Sequence, residues 1–145
     1  KSVPTKNFKV ELNQSKVKSI DEVSSALSSK SAQLADARSG TRFRGEEPEP
    51  RPGVRPGHMR GAKNVHYASL LNADGTMKQC AKLLEVFTSA GIDPYKPVIT
   101  TCGSGVTAAI LSLALAELES NQNSLYDGSW AEWGASDQTA VTGQL

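Results

Sequence analysis

Cysteine, histidine, aromatic residues and long apolar runs are all scarce in this sequence, and each shortage removes a class of protein. The two cysteines, Cys80 and Cys102, lie 22 residues apart and form no Cys-x-x-Cys pair. One disulfide could join them, but a lone thiol in a glycine-rich loop fits a reducing compartment better, cytoplasmic or mitochondrial. Only His58 and His66 could add imidazoles, with no cysteine cluster beside them, which argues against a zinc site. The longest apolar run, Val106–Leu118, is broken by Thr107 and Ser112 and is too short to span a bilayer. A net charge of +1 provides no field to gather nucleic acid or an anionic membrane surface. No signal peptide opens the chain and no targeting segment is read. Lys1 in place of Met is the start expected of a fragment or a processed protein.

What remains is an ordinary globular composition, 38% hydrophobic and 21% charged over 145 residues, enough for one domain with a real core. The distinctive stretch is Thr100-Thr101-Cys102-Gly103-Ser104-Gly105-Val106-Thr107. A β-branched run, Val98–Thr101, leads into the cysteine, and Val106–Glu119 has helical composition. Strand, glycine loop and helix in that order place a thiol where turned-back N–H groups and a helix N-terminus converge. Such a setting favours the thiolate, which is the nucleophile.

In chain order, Lys1–Lys18 reads as an arm with one half-buried edge strand in Phe8–Leu12, where polar and apolar residues alternate. Ser19 with Glu22 forms a capping box for a helix over Ile20–Ser29. Leu34–Asp36 is a short strand whose C-terminal edge is where α/β sheets bind ligands. Ser39–Gly61 carries Pro48, Pro50, Pro52, Pro56 and five arginines, too much proline for a helix or central strand. Its basic content marks it as a functional loop. Then follow a strand at Asn64–Tyr67, a helical turn at Ala68–Leu71, a turn at Asn72–Gly75 and a helix Met77–Ala90 closed by Gly91. After the cysteine helix come a short strand and turn over Ser124–Gly128, a helical turn Ser129–Trp133 and a polar tail, Gly134–Leu145. Helices between strands mean a mainly parallel sheet of about five strands covered on both faces, a three-layer α/β domain.

These motifs together carry a resemblance. Cys102–Thr107, Arg42-Phe43-Arg44-Gly45-Glu46-Glu47-Pro48-Glu49-Pro50-Arg51, Gly57-His58 and Tyr126–Trp133 stand in the order found in rhodanese domains. The chain more narrowly resembles the C-terminal, catalytic domain of two-domain mercaptopyruvate sulfurtransferases. The match runs from about Phe8 to about Gly143. It implies a division into a linker arm, 1–18, and a rhodanese domain, 19–145, whose N-terminal rhodanese-like partner domain is missing from this chain.

The resemblance also implies a ping-pong sulfur transfer with no metal or organic cofactor. Cys102 would take a sulfane sulfur from 3-mercaptopyruvate and pass it to cyanide or to a thiol, thioredoxin among the candidates. The backbone of Gly103, Gly105, Val106 and Thr107 would hold the sulfur anion, Arg42 and Arg51 would bind the donor's carboxylate, and Ser104 would bond its carbonyl or sulfur. Chemistry agrees on two points: a persulfide anion needs converging donors, and arginine stays charged and grips planar carboxylates by two bonds. Arg44, Arg55 and Arg60 have weaker claims.

Structural roles suit the other conspicuous residues: Cys80 within a helix, His58 and His66 as loop-packing groups, Asp36 with Arg38 as an ion pair, Trp130 and Trp133 as packing aromatics, and Asp127 as a turn-former. Cysteine-dependent phosphatases also place a cysteine loop on a helix, but need an arginine six residues on, where this chain has Ala108. Thiosulfate-preferring relatives carry basic side chains just after the cysteine, where Gly103 and Ser104 stand here. A thiosulfate:cyanide sulfurtransferase and a persulfide-carrying relay or binding domain are the alternatives.

Overall fold

The computed structural model describes residues 6–7 and 9–143. Its strands are β1 (Val17–Lys18), β2 (Gln33–Asp36), β3 (His58–Met59), β4 (Lys63–Asn64), β5 (Val98–Thr101), β6 (Asn123–Tyr126) and β7 (Val141–Thr142). Its helices are α1 (Ile20–Ser29), α2 (Gly40–Arg44), α3 (Cys80–Ser89), α4 (Ala108–Glu117) and α5 (Ser129–Trp133), with 3-10 turns at Gln14–Lys16 and Tyr67–Leu70. Five strands form one sheet in the order β1-β6-β5-β2-β4, and every pair in it is parallel. Among the described helices none is long and apolar enough to cross a membrane.

Alternation along the strands explains the three layers, since successive side chains leave a strand on opposite faces. Ala35 and Val98 point into a core shared with Leu83 and Phe87 of α3 and Leu111 and Leu115 of α4. Their neighbours Leu34 and Ile99 point the other way, against Val23 of α1 and Trp130 and Trp133 of α5. Both faces of the central strands are buried, so β5 reads as an unbroken buried run. From β2 the chain moves outward to β4, then returns to β5 on the other side and continues to β6. The reversal lies between β2 and β5, the crevice where open α/β sheets bind ligands.

Several elements follow the sequence closely. Ser19 Oγ accepts from the Glu22 N–H, and the Glu22 carboxylate accepts from the Ser19 N–H at 2.8 Å, completing the capping box. Others differ. The first strand is Val17–Lys18, not Phe8–Leu12: residues 9–12 are exposed and form no strand, and Phe8 lies outside the described residues. A helix does form inside the proline-rich stretch, as α2, because it closes at Gly45 in the left-handed conformation before Pro48 is reached. The strand expected at Asn64–Tyr67 is Lys63–Asn64, with Tyr67 opening the 3-10 turn. α3 begins at Cys80 because Met77 bridges to Leu71, and α4 begins at Ala108 because the preceding residues form the cysteine loop.

The polar tail is tied down. β7 pairs antiparallel with β3, matching Met59 with Val141. Arg55 donates to the carbonyls of Trp133, Gly134, Ser136 and Thr139 and to the Thr139 hydroxyl. One guanidinium thus gathers the carbonyls of an irregular segment that has few ladder bonds of its own.

Candidate active site: the Cys102 loop

β5 delivers Cys102 to the C-terminal edge of the sheet at the crevice, and its side chain is only 2% exposed. Burial is the largest single influence on the thiol and pushes its pKa up. The Thr107 hydroxyl and the N–H groups of Ser104, Ala108 and Thr107 all donate to the sulfur, and together they bring it below the ordinary cysteine value. The first turn of α4 supplies one of those donors, so the helix's positive end adds to the effect. Thr107 is the N-cap of α4 but makes no side-chain capping bond, which leaves its hydroxyl to the sulfur.

The loop's carbonyls are disposed of elsewhere. The N–H groups of Trp130 and Ala131, in the first turn of α5, donate to the carbonyls of Cys102 and Gly103, each at 2.9 Å. The Cys102 N–H donates to Ser129 Oγ at 3.1 Å, and the Ser129 hydroxyl donates to the Tyr126 carbonyl at 2.8 Å. Acceptors therefore face α5 and donors face the sulfur, which is the polarity an anion requires. Ser129 reaches this position with φ +51°, in the left-handed region, fully buried. Gly105 turns the loop at φ +86°, where a Cβ would lie 2.8 Å from Asp127 Oδ1.

Over the loop sits a chain of charges. Arg38, buried, donates to Asp36 through Nε and Nη2, to the Gly57 carbonyl at 2.8 Å and to Glu49 Oε1 at 2.9 Å. Its guanidinium also lies 4.5 Å above the Trp130 ring. The other oxygen of Glu49 receives Nη2 of Arg42. Arg42 packs against Gly103 so closely that a Cβ there would lie 3.0 Å from Nη2. Arg51 is exposed and its Nη1 donates to the Gly103 carbonyl at 3.4 Å. Arg42, Arg51, Gly103 and Ser104 line one cleft of about 210 Å³, with Glu49 in its wall.

The Rhodanese-like domain family matches residues 19–136 of this chain. The chain belongs to the rhodanese family. The rhodanese domain is 43% identical over 133 residues to the 3-mercaptopyruvate sulfurtransferase of Escherichia coli, covering 92% of this chain and 47% of that protein. It is 39% identical over 127 residues to the thiosulfate sulfurtransferase of Rattus norvegicus, covering 87% and 43%. The solved structure of the 3-mercaptopyruvate sulfotransferase SseA from Escherichia coli superposes with a TM-score of 0.73 at 38% identity, covering 88% of this chain and 47% of that one. The chain thus spans about half the length of these relatives.

Within this rhodanese domain, Ser104, Arg42, Arg51 and Gly103 line the cleft, Cys102 lies buried next to Gly103, and Thr107 and Gly105 belong to the loop around its sulfur. Val106 has its side chain 74% exposed on the outer surface. Two contributors escape a reading of the sequence, Ala108, whose N–H donates to the sulfur, and Ser129, while Glu49 belongs to the acidic loop expected as an ion-pair partner for the arginines. The acidic run Glu46-Glu47-Pro48-Glu49 beside Arg42 was a usable signal for Glu49. Ser129 sits 27 residues from Cys102 and carried no local signal. Arg44 pairs with Glu46 at the surface, Arg55 holds the C-terminal segment, and Arg60 lies outside the cleft. His58 stacks on Phe43 at 3.8 Å and bonds its carbonyl through Nδ1, a packing role.

Proposed function

We propose that this domain transfers a sulfane sulfur from 3-mercaptopyruvate to a thiol or cyanide through a persulfide on Cys102. The observation that carries the reading is the set of donors around the Cys102 sulfur, in a loop whose next residues, Gly103 and Ser104, line a cleft with two arginines. The Cys102 thiolate attacks the sulfur of mercaptopyruvate. The S–S bond forms as the C–S bond breaks, and the electron pair goes to the carbon, giving the enolate of pyruvate, which takes a proton. An acceptor thiolate or cyanide then attacks the outer sulfur and the Cys102 thiolate leaves, restoring the enzyme.

Each residue has a role in that sequence. Arg42 and Arg51 bind the donor's carboxylate, the first held in place by Glu49 and the second resting on the Gly103 carbonyl. Ser104, exposed at the cleft, hydrogen-bonds the donor's carbonyl as enolate charge develops there. The N–H groups of Ser104, Thr107 and Ala108 stabilise the thiolate and then the persulfide anion, with Gly103 and Gly105 giving the backbone room to turn. No step calls for a metal or an organic cofactor. A small thiol or a protein dithiol such as thioredoxin is the acceptor. The free Cys102 thiol suits a reducing compartment, cytoplasmic or mitochondrial, and a second rhodanese-like domain completes the working protein, with residues 1–18 as the connection to it.

Thiosulfate is the alternative donor, favoured by the rat relative. A dianion calls for cations at the mouth of the loop, and Gly103 and Ser104 offer none, which supports mercaptopyruvate. Steady-state kinetics with each donor and cyanide test this. A kcat/KM for mercaptopyruvate exceeding that for thiosulfate is expected, and the reverse order would overturn the donor assignment.

A further inference from the structure

A second cleft lies at the opposite end of the strands from Cys102, roughly 13 Å away along a four-residue strand. Its volume is about 770 Å³, within the range of ligand pockets, and it opens beside Gln33 and Pro97, at the start of β2 and just before β5. Leu27, Ala32, Pro97 and Ala140 form apolar walls over the buried edges of Leu34 and Trp133. Four cations stand around it, Lys30, Arg60, Lys63 and Lys96, and no carboxylate lines it. Lys96 pairs with Asp93 at 3.3 Å, whereas Lys30, Arg60 and Lys63 have no carboxylate within 4.0 Å among the described residues.

The placement of Lys30 is unusual in itself. It caps α1 at φ 55°, the left-handed position ordinarily filled by glycine. A left-handed backbone site thus carries a long cationic side chain at the rim of this cleft, at a helix C-terminus whose partial negative charge suits a cation. The sequence as a whole is close to neutral, so three cations at one apolar cavity with no carboxylate partner among the described residues are a local concentration of charge rather than a share of a basic surface.

We propose that this cleft binds an amphipathic organic anion, a carboxylate or sulfonate on a flat apolar body free in solution. The body lies against Leu27, Pro97 and Ala140, and the anionic group reaches Lys30, Arg60 and Lys63. Apolar contact alone would accept a neutral molecule of the same shape. Cations alone would accept inorganic phosphate. The combination selects the amphiphile.

The probe is 8-anilinonaphthalene-1-sulfonate, titrated by its fluorescence into the 145-residue chain at low salt. Saturable binding with one equivalent is expected, weakened by added salt. The double variant Arg60→Gln/Lys63→Gln should raise Kd at least about tenfold, and so should the uncharged analogue N-phenyl-1-naphthylamine. Ala140→Asp, a surface position that places a carboxylate in the cleft, should do the same without touching the cations. Arg51→Gln at the Cys102 cleft and Leu113→Ser on the exposed face of α4 should leave Kd unchanged. Wild-type affinity in the double variant and in Ala140→Asp, with unchanged thermal midpoints, would overturn the proposal, as would loss of binding in Arg51→Gln or Leu113→Ser. None of these readouts depends on sulfur transfer, so failure of that activity leaves this site standing.

Discussion

Replacing Thr107 by valine isolates the donor that most lowers the Cys102 pKa. The substitution keeps the β-branched shape and removes one hydroxyl. It costs no helix cap, because the Thr107 side chain makes no capping bond. What is lost is a hydrogen bond to a charged sulfur in a buried site, worth about 1.5–3 kcal/mol. Backbone donors from Ser104, Thr107 and Ala108 remain, so the thiolate is weakened and not abolished. At any pH below the thiol's pKa, the thiolate population, and with it the rate of alkylation by iodoacetamide, should fall about ten- to hundredfold. The pH profile of alkylation should move to higher pH while the plateau rate at high pH stays within a few fold. Cys102→Ser supplies the blank for Cys80. An unchanged alkylation profile in a folded Thr107→Val protein would refute the view that this hydroxyl sets the reactivity of the sulfur.

Other perturbations probe the supports of the same loop. Ser129→Ala leaves the buried Cys102 N–H without its acceptor, so urea unfolding should show a loss of about 1–3 kcal/mol together with reduced turnover. Gly105→Ala puts a Cβ against Asp127 at a left-handed φ, and should cost at least about 1 kcal/mol and most of the activity. Arg42→Lys and Arg51→Lys keep the charge but lose the planar fork, so KM for mercaptopyruvate should rise about tenfold with kcat little changed. The Cys102 thiol titrates below its unfolded value, so its contribution to stability is complete above the unfolded pKa, about 8.5, and is lost as pH falls through the folded one. The stability of the wild type relative to Cys102→Ser should therefore grow as pH rises towards that value, measured by denaturant titrations across the range.

Local chemistry announced itself in the sequence; long-range pairing did not. The capping box of Ser19 and Glu22, the strand–glycine–helix order around Cys102 and the three-layer parallel sheet are all decided by neighbours in sequence, and they stand as read. Phe8–Leu12 had the alternation of a strand, but a strand needs an edge to pair with, and β6 offers its edge to Val17 and Lys18 instead. Gly134–Leu145 looked like a polar tail because nothing nearby in sequence reveals that Arg55 and β3 will hold its residues 134–142. The ion pair of Asp36 and Arg38 was legible from its spacing, while its extension through Glu49 to Arg42 depends on where the proline-rich loop returns. Ser129 is the clearest case: it braces the N–H of Cys102 from the turn after β6, and a serine before a tryptophan gives no hint of it.

The most direct test of the account is the intact mass of the protein after exposure to mercaptopyruvate. A gain of about 32 Da, one sulfur, is expected on the wild type and not on Cys102→Ser, and it should disappear when cyanide or a thiol is added. No gain from either mercaptopyruvate or thiosulfate, in a protein whose Cys102 still alkylates readily, would contradict the claim that this loop is built to carry a persulfide.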